Sequence, residues 1–128
     1  MKKIEVVPNG VDTDKFKPLD KRTVEEKVKK YGIVESERPK VVYVGRLSEE
    51  KGIRNLIRVA EILKDFDFYF IGDGPLKDYL LKKDRENIFF VGRVKHEELV
   101  YLLNAMDVFV LPSIAKEGFS NAMLEALA

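Results

Sequence analysis

Four short apolar runs set what this 128-residue chain can fold into. They are Val41-Val42-Tyr43-Val44, Phe68-Tyr69-Phe70-Ile71, Ile88-Phe89-Phe90-Val91 and Val108-Phe109-Val110-Leu111. Their β-branched and aromatic residues favour strands. None alternates with polar residues, so each should be covered on both faces, as in a parallel sheet. Three run straight into glycine (Gly45, Gly72, Gly92) and the fourth into Pro112-Ser113, which is the punctuation expected at the carboxyl ends of strands.

Between the runs the period becomes helical. Ile53, Leu56, Ile57, Ala60 and Leu63 form one apolar stripe, with Arg54, Asn55, Arg58, Glu61 and Lys64 on the other side. Leu76, Tyr79 and Leu80 form a second behind Gly74-Pro75, where proline suits the first helical position. Leu99, Val100, Leu102 and Leu103 form a third, and a fourth helix is expected from Ser120, a good N-cap, through Met123, Leu124 and Leu127. Strand starts 20 to 27 residues apart are the length of βα units, so right-handed crossovers and a doubly wound, Rossmann-like α/β sheet are predicted. Residues 1–40 are a leading segment: a short strand at Ile4–Val7, a turn at Pro8-Asn9-Gly10, a helix with Val24, Val28 and Tyr31 ending at Gly32, and a polar loop from Glu35 to Lys40. Residues 41–128 carry the βα units, and the whole is one partial domain.

Composition excludes several functions. With 23 Lys+Arg against 22 Asp+Glu the net charge is +1, which argues against a nucleic-acid binder that must neutralise phosphates. The longest apolar run, Leu99 to Leu103, has five residues, against the roughly 20 that a membrane span needs. Zero cysteines exclude a disulfide scaffold, a thiolate metal site and a cysteine nucleophile. With no signal peptide visible, a cytoplasmic chain is expected.

In doubly wound sheets ligands bind beyond the carboxyl ends of the strands, where strand order reverses. With a strand order of 3-2-1-4 that point lies between the loop Gly45–Gly52 and the segment Pro112–Ser120. Arg46 and Lys51 beside a helix start suit a phosphate: arginine can hold two oxygens at once, lysine supplies a point charge and the helix dipole adds to both. Spacing alone also allows two ordinary surface cations. Glu117 and Glu125 could accept hydrogen bonds from the paired hydroxyls of sugars, although glutamates near a helix start often only complement its dipole. His96, the only histidine, reads as a solvated residue in a first helical turn and has no partner histidine for a metal. The first loop is not G-x-G-x-x-G, and Gly72-Asp73-Gly74-Pro75 lacks the third glycine, which weakens a dehydrogenase-type reading.

Taken in order, these segments resemble a family. Pro8-Asn9-Gly10-Val11-Asp12, Val44-Gly45-Arg46-Leu47 with Lys51-Gly52, Gly72-Asp73-Gly74-Pro75, Val91-Gly92-Arg93-Val94, and Pro112-Ser113 followed by Glu117-Gly118-Phe119 and Leu124-Glu125-Ala126 are similar to the C-terminal, nucleotide-sugar-binding half of GT-B glycosyltransferases of the retaining family 4, "glycosyl transferases group 1". The resemblance runs from Val7 to the end of the chain. It implies that Arg46 and Lys51 bind the donor diphosphate and offset charge on the leaving group, beside the Gly45 backbone. Glu117 would hold donor-sugar hydroxyls near the reacting carbon, and Glu125 the ribose hydroxyls. Arg93 and Val94 would flank the base, while Gly118, Phe119, Ser120 and Asn121 would offer backbone N–H groups. It further implies transfer of a hexosyl unit from a UDP-, GDP- or ADP-sugar with retained configuration, no cofactor and no metal, the two cations doing the work of Mg²⁺.

The chain departs from the family pattern in two ways. Ser120 stands where many members have glycine. Members also continue past the position of Ala128 into a strand, a glycine-rich loop and further helices, so the 128 residues are expected to be a piece of a longer protein whose N-terminal half supplies the acceptor site. The 128 residues are therefore expected to bind donor weakly or not at all and to be inactive alone. The full-length enzyme is expected in the cytoplasm or peripheral at the inner membrane face. An unfinished sheet edge is expected to pair with a second copy. The alternative is a non-catalytic sugar-nucleotide-binding module.

Overall fold

The computed structural model describes residues 14, 17–33, 37–83 and 86–112. Helix α1 (Lys21–Val28) opens at Asp20, whose carboxylate accepts from the Thr23 backbone N–H at 3.3 Å. A 3-10 turn at Lys29–Tyr31 follows and ends at Gly32 in the left-handed conformation, where the helical pattern places its stop. Strand β1 (Lys40–Val44), helix α2 (Ile53–Ile62), strand β2 (Asp67–Ile71), helix α3 (Lys77–Lys82), strand β3 (Ile88–Gly92), helix α4 (His96–Asn104) and strand β4 (Val108–Phe109) complete the order.

The four strands form one sheet in the order β3-β2-β1-β4, with every pair parallel. This is the doubly wound arrangement the sequence predicts. Burial splits each strand between two layers. Val41, Tyr43, Phe68, Phe70 and Ile88 face α2 and α3, meeting Ile53, Leu56, Ile57, Ala60 and Leu80. Val42, Tyr69 and Ile71 face the other way, against Val24 and Val28 of α1 and Leu99, Val100 and Leu102 of α4. Right-handed crossovers require this: the two steps from β1 outward place their helices on one face, and the return to β4 places α4 on the other. Each fully buried leucine, isoleucine or phenylalanine contributes about 1.5–3 kcal/mol relative to exposure.

Several local details differ from the sequence reading. Lys40 is buried at the start of β1 rather than in a loop, its N–H bonded to Asp107 Oδ2 at 2.7 Å. Leu63 is exposed, because α2 ends at Ile62 and the next residue turns away from the apolar stripe. Pro75 lies in the turn before α3, whose N-cap is Leu76. Regular pairing of β4 stops at Phe109, although the Val110 N–H still bonds to Val42 O at 3.0 Å. The expected Ile4–Val7 strand and the helix from Ser120 lie outside the described residues.

Two asparagines tie the layers together. The buried Asn87 donates through Nδ2 to the carbonyls of Ala60, Leu63 and Phe66 at 2.8, 3.2 and 3.0 Å, closing the end of α2 against the start of β3. Asn104, half-buried at the end of α4, accepts from the Leu19 N–H at 2.8 Å and donates to Lys17 O at 3.0 Å, fixing the leading segment.

Candidate functional site

The loops after β1, β2 and β3 are fastened to one another backbone to backbone. The Gly45 N–H bonds to Ile71 O (3.0 Å), Leu47 N–H to Asp73 O (2.9 Å), Leu76 N–H to Leu47 O (2.9 Å) and Gly72 N–H to Gly92 O (2.8 Å). Gly72 has φ +136°, and a Cβ there would sit 1.9 Å from Gly45 O, so only glycine lets these two chain segments approach so closely. The Arg46 carbonyl accepts from the Tyr43 hydroxyl at 2.8 Å, and the neighbouring Leu47 is fully buried. The backbone carrying the exposed Arg46 side chain is thereby held in place.

A register shift shapes the third loop. Phe70 pairs with Phe90 but Ile71 with Gly92, so β3 carries one extra residue at its carboxyl end. Such a bulge bends the strand and redirects the chain beyond it, here Arg93 and Val94.

Together these loops and the first turn of α4 enclose a cleft of about 350 Å³. Val44, Ile71, Val94 and Leu99 give it apolar walls, and Gly45 and Gly72 supply backbone. Arg46, Asp73, Arg93 and His96 are its polar groups. Four residues singled out in the sequence, Gly45, Arg46, Arg93 and Val94, are thus brought to one hollow. Asp73 and His96 were missed, because nothing in the spacing of a lone histidine or a turn aspartate shows that two crossover loops and a helix start converge there.

Lys51 is placed differently. It is half-buried, closes the 3-10 turn Glu49–Lys51, and does not line this cleft. Its charge still acts in the same loop: the Glu50 carboxyl is held below the usual carboxylate range, first by its own backbone N–H and further by the charges of Arg46 and Lys51. The next residue, Gly52, packs directly on Pro112, so the loops after β1 and β4 do meet where strand order reverses. Glu117, Gly118, Phe119, Ser120, Asn121 and Glu125 lie outside the described residues. Among the described residues no group of three or more His, Asp or Glu side chains is arranged to hold a metal ion.

A larger hollow, about 500 Å³, opens at the opposite end of the sheet between α1, Lys40 and the Asn104–Asp107 turn. It contains none of the predicted site residues and lies at the amino ends of the strands, away from where such sheets bind ligands.

The family model for "Glycosyl transferases group 1" matches residues 38–128. The chain belongs to this family. It is 31% identical to a 2-deoxystreptamine glucosyltransferase of Streptomyces kanamyceticus, over 98% of this chain and 34% of that protein. Among solved structures it is similar to the C-terminal domain of the group 1 glycosyl transferase LpcC from Francisella tularensis: TM-score 0.72, 26% identity, 92% of this chain and 66% of that one. The Anabaena protein HepE, crystallised with UDP-glucose, shares the fold with a TM-score of 0.78 at 21% identity, over 96% of this chain and 35% of that one. The chain spans a quarter to a third of the length of the curated relatives it matches. Its α/β sheet is that of the Rossmann-like half of a GT-B glycosyltransferase.

Proposed function

We propose that this chain is the donor-binding part of a glycosyltransferase that moves a hexosyl unit from a nucleoside diphosphate sugar to an acceptor held by a separate N-terminal domain, with retention of anomeric configuration. The observation that carries the reading is the cleft at the carboxyl ends of β1 to β3, which gathers Gly45, Arg46, Arg93 and Val94. HepE, which shares the fold, was crystallised with UDP-glucose, and that supports a sugar nucleotide as the ligand.

In this reading Arg46 meets the diphosphate in the cleft, Lys51 adds positive charge from the same loop, and Arg93 flanks the base with Val94. Charge grows on the leaving diphosphate as the glycosidic bond breaks, and fixed cations aimed there stabilise the transition state without a metal ion. Val94 and the apolar wall flank the base, and Glu117 and Glu125 hold donor-sugar and ribose hydroxyls. Chemistry requires the acceptor beside the donor, and much of the rate comes from that positioning. The 128 residues alone are therefore inactive, and the full-length protein works in the cytoplasm or at the inner membrane face.

The test is a donor screen of the full-length protein with UDP-, GDP- and ADP-glucose, read by release of the nucleoside diphosphate and by the anomeric configuration of the product. Turnover of one donor with retained configuration supports the reading. Binding without turnover on any acceptor points to a sugar-nucleotide-binding module, and inverted configuration contradicts the retaining assignment.

A further inference from the structure

We propose that Tyr43 is a positioning residue for the donor site: its buried hydroxyl fixes the backbone from which Arg46 reaches the diphosphate, and so raises donor affinity without touching the donor. The inference rests on the donor-site reading above and adds a residue whose place in an apolar strand marks it only as core.

Tyr43 lies in β1 and is 1% exposed. Its ring packs with the residues facing α2 and α3 and meets the Phe70 ring at 6.4 Å and 49°. A phenylalanine could make the same ring contact, so packing accounts for the ring and not for the hydroxyl. A buried hydroxyl costs stability unless it finds a partner. This one reaches forward past Gly45 and donates to the Arg46 carbonyl at 2.8 Å. A Cβ on Gly45 would come within 2.7 Å of the hydroxyl oxygen, so the absence of a side chain there keeps the path open.

The neighbours of Arg46 are fastened as well, but by backbone. Ile71 O holds the Gly45 N–H at 3.0 Å. The turn after β2 grips Leu47 twice, its N–H by Asp73 O and its carbonyl by the Leu76 N–H, both at 2.9 Å. Gly74 fits against the same residue, since a Cβ there would lie 2.5 Å from Leu47 O. Those bonds join main chain to main chain and survive most substitutions. The bond on Arg46 is made by a side chain, and a single substitution removes it.

One peptide plane contains both the Arg46 carbonyl and the Leu47 N–H. It is therefore pinned at both ends, its oxygen by Tyr43 and its N–H by Asp73. Tilting that plane would swing the Arg46 Cα–Cβ bond. With the plane held, the exposed Arg46 side chain starts from a fixed point, and less freedom is lost when its guanidinium meets the phosphate oxygens.

The experiment is calorimetric titration of the full-length protein with UDP-glucose, GDP-glucose and ADP-glucose, on wild type, Tyr43→Phe, Arg46→Ala and the double variant. Tyr43→Phe deletes the hydroxyl and leaves the ring. The fitted number of sites reports the folded fraction, so a partial loss of fold lowers that number and leaves the affinity of the folded molecules readable.

For the donor that binds, Tyr43→Phe is expected to weaken affinity about fivefold, the scale of one hydrogen bond. Added to Arg46→Ala it should weaken affinity no further, because the side chain it positions is gone. A hydroxyl that served only the fold would give the same change in both backgrounds. Unchanged affinity in Tyr43→Phe, or an equal loss in both backgrounds, overturns the role of Tyr43 and leaves the donor site standing. Failure of all three donors to bind wild type, or undiminished affinity in Arg46→Ala, overturns the donor-site reading as well.

Discussion

A Cβ placed on Gly52 would lie 2.0 Å from the carbonyl oxygen of Pro112. Gly52 starts α2 and Pro112 follows β4, so this contact locks together the two loops that flank the reversal of strand order. Gly52 also has φ +72°, a conformation that side chains resist. Gly52→Ala therefore combines backbone strain with a collision against backbone that cannot swing aside. The expected loss of stability is about 3 kcal/mol, read as a shift in the urea midpoint. Gly32→Ala meets nothing within 4 Å and should lose only the strain, about 1 kcal/mol. Equal losses would mean that the Gly52–Pro112 contact is unimportant.

Asn87 predicts a stability effect far from the cleft. Replacing it with alanine leaves the carbonyls of Ala60, Leu63 and Phe66 without their shared donor. The expected cost is about 2 kcal/mol. Asn87→Asp should cost more, since it turns an acceptor toward three acceptors. Thermal melts of both variants check the order, and an aspartate variant as stable as wild type would contradict it.

The contact between the leading segment and α4 should fade in acid. Hydrogen bonds from Lys30 and then Tyr31 hold the Glu98 carboxyl below the usual carboxylate range. A carboxylate whose folded value is lowered contributes stability above its unfolded value, near 4.5, and loses it as pH falls through the folded value. The same hydrogen bond raises Lys30 above 10.5, so its share is present below that pH and is lost as pH rises through the folded value. Melting temperatures of wild type and Glu98→Gln should differ at neutral pH and converge as pH falls from about 6 to about 3. A difference that stays constant with pH would contradict the pairing.

The features legible in the sequence are those set by local periodicity. Unbroken runs such as Phe68–Ile71 mark strands covered twice, and the terminal Gly45, Gly72 and Gly92 mark the ends where the loops meet. Parallel pairing and the side taken by each crossover helix come from spacing and handedness rules. The details it hides depend on partners distant in the chain. Asn87 caps a helix more than 20 residues earlier. The extra residue of β3 is defined only by its pairing with β2. His96 enters the cleft because α4 crosses to the second face of the sheet, and Lys51 leaves its lining because the 3-10 turn directs the loop toward Pro112.

Donor binding depends most directly on Arg46 as a ligand of the diphosphate. Calorimetric titration of the full-length protein with its preferred sugar nucleotide should show about tenfold or greater weakening in Arg46→Ala, the scale of a lost charge-assisted pair with phosphate. Arg58→Ala, which removes an exposed cation on α2, should leave affinity within about twofold, as an exposed and distant charge is screened. Equal donor affinity in wild type and Arg46→Ala would contradict the central claim.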